Sequence, residues 1–426
     1  MPTSLPLELT PATTAIWAIA ATATLGVIVR PLRWPEAIWA VAGALALIVF
    51  GLLPVPAALG AAAKGTDVYL FLIGMMLLAE LARAEGLFDW LAIHAVRHAR
   101  GSPRRLFALV YAVGTLVTVF LSNDATAVVL TPAVYAAARA ARAEPLPYLL
   151  ICAFIANAAS FVLPISNPAN LVVFGRHMPS LLDWLRQFAL PSLAAIAATY
   201  AALRFTQRRA LVEPLATELP ARPLSAGGRF IAWGIAATAV VLTLASALGW
   251  DLGLPTFVAG VLTAAVVMLR TREAPWPVLR HISWGVLPLV AGLFILVEGL
   301  RETGVIDMLV VLLREAATRS AGQAAWGAGI LTAIACNLVN NLPAGLVAGS
   351  VAAAADVPAK VTGALLIGID LGPNLSVTGS LATILWLVAL RREGEHIGAL
   401  RFLGLGLVVM PPALLLAIGA LVWTGP

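Results

Sequence analysis

The sequence predicts an all-α polytopic membrane protein made of two inverted-topology repeats, each with about five transmembrane helices, a re-entrant hairpin and a broken helix. Three observations carry that expectation. The 426 residues are 61% hydrophobic and only 11% charged, with a mean hydropathy of +0.95, which no soluble domain of this length supports. Apolar runs of about 16 to 22 residues recur along the whole chain, the length that crosses a bilayer as helix. Landmarks also recur at a nearly constant separation. Glu80, Arg83, Gly86 and Asp89 are matched 218 positions on by Glu298, Arg301, Gly304 and Asp307; Asn123 is matched by Asn340 and Ala169 by Ala382 at separations of 217 and 213. The net charge of +6 does not point to nucleic acid, because the Arg residues lie between apolar runs and not on one basic face. Loop Arg is what the positive-inside rule predicts.

Residues 1–14 carry no Lys or Arg and contain Glu8, so no cleavable signal peptide is expected. Runs 14–29 and 36–52 form the first two spans, with Arg30 and Arg33 marking a cytoplasmic loop, and run 67–82 forms the third. Residues 87–99 alternate apolar and charged positions at helical spacing, as a helix lying in the interface does. Runs 105–121 and 125–138 flank Asn123 and Asp124 and are bracketed by Arg104, Arg105, Arg139 and Arg142. A hairpin over 105–138 that enters and leaves from the cytoplasm fits this pattern, as do two full spans joined by a polar turn. Run 147–175 is interrupted by Pro164 and Pro168 with Ser166 and Asn167 between them, the mark of a broken helix. An amphipathic segment 180–187 and a span 188–206 close the first repeat, 1–206. Residues 207–228 are polar and read as a cytoplasmic linker. The second repeat, 229–426, contains spans 229–247, 254–269 and 283–300, a hairpin 325–356, a broken helix 361–390 and a span 400–423. Five full spans per half put the second half in the membrane the other way up, with both termini outside.

Four polar breaks stand out in this apolar background: Leu121 to Ala127, Pro164 to Asn170, Val339 to Ala344 and Asp370 to Ser376. Polar groups at membrane depth are expensive and tend to mark function. Asp124 and Asp370 are the candidate proton carriers, since a carboxylate near mid-membrane is costly to charge and is suited to exchanging a proton during transport. For Asp124 the alternative is a cap on the hairpin's second helix. Asn123, Thr126, Ser166, Asn167, Asn170, Asn340, Asn341, Asn374, Ser376, Thr378 and Ser380 offer neutral donors and acceptors suited to a small polyhydroxyl solute, and many also suit helix capping. Glu80 and Glu298, at equivalent span ends, are expected either to pair with Arg83 and Arg301 or to lie exposed at the interface. Cys152 and Cys336 read as small packing residues that form neither a metal-ligand spacing nor a disulfide framework; capture of a soft metalloid by Cys336 is the weaker alternative. No nucleotide-binding loop is present and no cofactor is expected.

These motifs resemble the arsenical pump membrane protein family (ArsB) of the ion transporter superfamily. The resembling residues are Ser122-Asn123-Asp124-Ala125-Thr126-Ala127 through Pro132, Asn340-Asn341-Leu342-Pro343-Ala344, and Leu371-Gly372-Pro373-Asn374-Leu375-Ser376 through Thr383. The resemblance implies efflux of arsenite and antimonite across a prokaryotic cytoplasmic (inner) membrane in exchange for protons. It also implies, for some relatives, a separate arsenite-stimulated cytoplasmic ATPase, and a homodimer. Superfamily carriers of dicarboxylates show Ser-Asn-Thr at both hairpin tips, where this chain has Ser122-Asn123-Asp124 and Val339-Asn340-Asn341. Asp124 would repel an anion, so a carboxylate cargo is disfavoured. A sodium/proton antiporter using the same site is the principal alternative, and a membrane scaffold for an ATPase is a third reading that the short linker disfavours.

Overall fold

The computed structural model describes residues 10–175, 178–216, 223–272 and 274–424. Residues 1–9 and 425–426, on which the placement of the termini turns, and Arg222 of the linker lie outside them. The described chain is all-helical. In the first half the helices are α1 (Pro11–Val29), α2 (Glu36–Val49), α3 (Val55–Lys64), α4 (Thr66–Ala84), α5 (Leu87–Ala99), α6 (Pro103–Phe120), α7 (Thr131–Ala140), α8 (Leu146–Ala158), α9 (Pro168–Phe174) and α10 (Leu181–Thr206). The second half repeats the series: α11 (Ala226–Ala247), α12 (Gly253–Thr271), α13 (Trp276–His281), α14 (Val286–Glu302), α15 (Val305–Arg319), α16 (Ala321–Val339), α17 (Asn341–Ala355), α18 (Ala359–Leu371), α19 (Leu381–Arg392) and α20 (Ala399–Thr424). Seven of the described helices are long and apolar enough to cross a membrane singly, and the pair α3–α4, bent by 45°, adds an eighth.

Local chemistry sets many of the boundaries. Ser102, Ser180, Ser225 and Ser320 each cap a helix by accepting the backbone N–H three residues on, at 2.7–3.3 Å, satisfying one of the free donors of a first turn. Pro11 and Pro103 open α1 and α6, where the missing N–H does no harm. Three differences from the sequence expectation have simple causes. Segments 180–187 and 188–206 form one helix, α10, that runs through Pro191. Short helices α3 and α13 fall in stretches too short and mixed to read as elements. Glu298 pairs with Lys64 at 2.8 Å and not with Arg301, whereas Glu80 does pair with Arg83; the partner of Glu298 comes from the other repeat, which local spacing does not reveal.

Glycine contacts give the direction in which the halves are related. Helices α1 and α2 run antiparallel, Gly26 lying against Trp39 and Gly43 against Ala23. The third span, α4, runs parallel to α12 of the other half: the Gly253 N–H donates to Asp67 (2.6 Å), and Gly74 lies against Thr256 and Gly260 with no room for a Cβ. Its mate α14 runs parallel to α2 in turn, with Gly292 on Ala40, Leu296 on Gly43 and Gly299 on Leu47. The mates themselves are antiparallel. Tyr69 meets Phe294 edge-on at 6.4 Å while Lys64, earlier in the chain, reaches the later Glu298. Gln187 near the start of α10 and Leu421 near the end of α20 both lie against Gly363. Equivalent helices that pack antiparallel require a pseudo-two-fold axis perpendicular to them, hence in the membrane plane, which is an inverted repeat.

The hairpins return to the side on which they start. The linker backbone donates from Leu215 to Gly101 O (3.0 Å), just before α6, and from Ala216 to Ala141 O (2.9 Å), just after α7. At the other hairpin Arg314 of α15 donates to Ala354 and Ala355 O (2.8 and 3.1 Å), capping the end of α17 beside the start of α16. A cation there also complements the helix C-terminus, which gives one of the basic residues on the side expected to be outer a local role; Arg319 pairs with Glu315 at 3.6 Å.

Candidate functional site

At the first hairpin tip the chain turns at Ser122 (φ 153°). Ser122 Oγ accepts from Ala125 N (3.3 Å) and Asn123 Oδ1 from Asp124 N (2.9 Å). Capping is thus done by Ser122 and Asn123. The Asp124 carboxylate is half-buried and takes no hydrogen bond from the described residues. A π-helical turn over Ala125–Leu130 follows, with Thr131 donating to Ala127 O (2.7 Å) and Pro132 lacking a donor. At the second tip Asn340 (φ 73°) caps α17 through Leu342 N (3.4 Å) and donates to Thr378 O (3.2 Å), and Asn341 N donates to Gly379 O (2.9 Å). The Asn341 Oδ1 is buried without a partner among the described residues.

The two broken helices are joined across the repeats by matched contacts. Asn167 caps α9 through Ala169 N (3.0 Å) and donates to Asp370 Oδ1 at 2.8 Å. Its mate 213 positions on, Ser380, caps α19 through Thr383 N (3.1 Å) and donates to Asn157 Oδ1 at 3.3 Å. Asn157 and Asp370 are also 213 apart, so the same position carries an amide in one repeat and a carboxyl in the other. Asp370 is fully buried with the Ser160 side chain beside it, and among the described residues its Oδ2 has no close hydrogen-bond partner.

The four breaks converge. A central cavity of ≈ 20 Å³ is lined by Asn123, Asp124, Asn167 and Asn341, with the mates Leu72 and Val290 among its apolar walls. Its lining contains no Lys, Arg or His, and its volume is close to that of one water position. Asp124 also lines a second cavity of ≈ 80 Å³ that reaches Ser122, Met76, Glu80, His281 and Ser283.

Of the residues singled out in the sequence, Asn123, Asp124, Asn167 and Asn341 line the central cavity, and Asp370 touches it through Asn167. The others hold the backbone of the breaks. Asn170 donates to Ser160, Leu163 and Pro164 O (2.8, 3.2 and 3.2 Å), and Ser166 to Val119 O (3.1 Å). Thr126 bonds Thr118 (2.8 Å) inside the hairpin. Asn374 accepts from Asn157 (3.0 Å) and donates to Phe154 O (3.0 Å). Ser376 donates to Asn337 Oδ1 (2.6 Å) and Thr378 to Asn337 O (3.1 Å). Cys336 is buried with its Sγ 3.7 Å from Ile369 O, away from both cavities. Among the described residues no group of three or more His, Cys, Asp or Glu could hold a metal. Two residues were missed. Asn157 and Asn337 are the hubs of these networks, each a single amide in an apolar run with no Pro or Gly beside it to draw attention. The offset of 213 that relates Asn157 to Asp370 was the available signal.

Comparison with known proteins agrees with this architecture. The model of a family described as "Citrate transporter" (CitMHS) matches residues 24–390. The arsenical pump membrane protein of Escherichia coli is 28% identical over 369 residues, covering 82% of this chain and 84% of its own. That of Yersinia enterocolitica is 28% identical over 363 residues with the same coverage. The crystal structure of the Alcanivorax borkumensis YdaH transporter superposes with a TM-score of 0.57 at 16% identity, covering 86% of each chain; it is similar in fold.

Proposed function

Since the chain belongs to the citrate transporter (CitMHS) family of membrane transporters, we propose that it is a secondary carrier that expels arsenite, and antimonite with it, across the cytoplasmic membrane in exchange for protons. The observation that carries this reading is the unpaired Asp124 carboxylate in a cavity otherwise lined by amides and apolar side chains. Citrate is a polyanion, and the central lining offers it a carboxylate and no cationic side chain. Arsenite at neutral pH is mainly As(OH)₃, a small uncharged triol that amides can hold by hydrogen bonds and release. The likeness to arsenical pump membrane proteins supports the same cargo.

In this reading Asp124 carries the proton, with Asp370 as a second carrier, and Asn123, Asn167 and Asn341 hold the solute. The remaining residues of the breaks fix the freed backbone so that the cavity keeps its shape. The halves 1–206 and 229–426, joined by a cytoplasmic linker, are the units that rearrange. A cavity of one water's volume must enlarge for cargo to enter, so transport requires movement of the breaks. A sodium/proton antiporter is the second reading, favoured by the unpaired oxygens of Asn341 and Asp370, which could ligate a cation.

The test is solute accumulation in everted vesicles carrying the protein. Arsenite uptake that needs an imposed proton gradient, ignores sodium and is not inhibited by citrate supports the proposal. Gradient-driven citrate uptake, or sodium-dependent proton movement without arsenite uptake, would overturn it.

A further inference from the structure

The pseudo-two-fold axis relates two side-chain pairs. Glu80 of α4 is held by Arg83 and lies 3.8 Å from His281 Nδ1, at the end of α13. Its mate Glu298 of α14 pairs with Lys64 Nζ at 2.8 Å, at the end of α3. Each pair joins the third span of one repeat to the short helix of the other. They differ in what lies beneath. Below Glu80 and His281 the ≈ 80 Å³ cavity runs past Met76 and Ser122 to Asp124. Below Glu298 and Lys64 the equivalent space is filled: Phe294, the mate of Met76, packs on Gly65 and meets Tyr69 edge-on, and the Tyr69 hydroxyl is fixed to Ala62 O at 2.8 Å.

The two ends also differ in charge. Arg270 and Arg272 precede α13 and Arg280 lies in its last turn, and Ser225 of the linker donates to Glu85 O (3.2 Å) at the end of α4. Basic residues in short loops mark the cytoplasmic side.

We propose that Glu80 and His281 form the cytoplasmic mouth of the route to Asp124, and that Lys64 and Glu298 form the outer mouth, shut in this conformation. Halves that are equivalent in sequence offset but unequal in packing leave one route open and its mate closed, as alternating access about a fixed site requires. The inference rests on reading the central cavity as a transport site, and is independent of which solute is carried.

Both native cysteines are fully buried, so single introduced cysteines can be read with a membrane-impermeant maleimide in full-length protein. Met76→Cys and Ser283→Cys are expected to react when the reagent is on the cytoplasmic face and to be protected when it is outside. Phe294→Cys is expected to react from the outer face or not at all. Loading Ser283→Cys with a bulky maleimide is expected to abolish most of whichever exchange the unlabelled variant shows. Reaction of Met76→Cys or Ser283→Cys from the outer face, failure of both to react from either face, or cytoplasmic reaction of Phe294→Cys would overturn the assignment. Ser283→Cys is exposed and conservative, so it serves if Met76→Cys does not fold. Because labelling is scored without cargo, a wrong cargo and a wrong route give different results.

Discussion

Asp124 and Asp370 are both acids at polar breaks, yet their surroundings differ. Asp124 takes no hydrogen bond from the described residues and faces two cavities, whereas Asp370 is fixed by Asn167 in a contact that Ser380 and Asn157 repeat with a neutral amide. An Asn at position 370 would make the second break resemble the first, so Asp370→Asn is expected to fold and to melt near the wild-type temperature in detergent. Asn157→Ala removes a donor to Asn374 and an acceptor for Ser380 in a fully buried network. It should cost roughly 1–3 kcal/mol through the groups left unpaired, read as a lower melting temperature. Wild-type melting of Asn157→Ala would mean that the joined breaks do not depend on this amide.

At the scale of helices, the halves are held by close parallel packing of α4 on α12 and of α14 on α2, and small residues make it close. Interfaces of this kind in membranes depend on van der Waals fit because lipid offers no hydrophobic drive. A Cβ at Gly74 would strike the Thr256 backbone, while one at Gly60 in α3 meets nothing within 4 Å. Gly74→Ala is therefore expected to destabilise by about 1–3 kcal/mol. Gly60→Ala should be neutral, or stabilising by about 0.5–1 kcal/mol through helix propensity. Thermal unfolding of the two variants checks this, and equal effects would contradict the parallel register. Much of this level was legible beforehand. Apolar run length marked the long spans, and Pro, Asn and Ser inside apolar runs marked the breaks, because breaking a membrane helix takes residues that remove or replace backbone hydrogen bonds. Helices α3 and α13 were not legible, since ten residues with Lys64 as the one polar side chain, and six residues, are too short to show a period. The pairing of Glu298 with Lys64 was hidden because it joins residues 234 apart through packing.

Across the whole molecule, the constant offset between landmarks revealed the duplication, and parity of spans implied its inversion. The fold adds the reciprocal register: α4 with α12, α14 with α2, mates antiparallel. Such symmetry brings two hairpin tips and two helix breaks to one point, and one departure from it at the central cavity is chemical. Asp124 faces Asn341, its mate by the hairpin offset, so a single unpaired acid sits beside the axis. That acid is the coupling group of the proposed exchange. The measurement that tests this most directly is proton flux accompanying arsenite movement in vesicles carrying Asp124→Asn beside the wild type. The Asp124 carboxylate takes no hydrogen bond from the described residues, so the variant should fold. It should bind arsenite and allow at most downhill, proton-independent movement. An Asp124→Asn protein that still drives uphill efflux at the wild-type rate, with protons moving in exchange, would contradict the account.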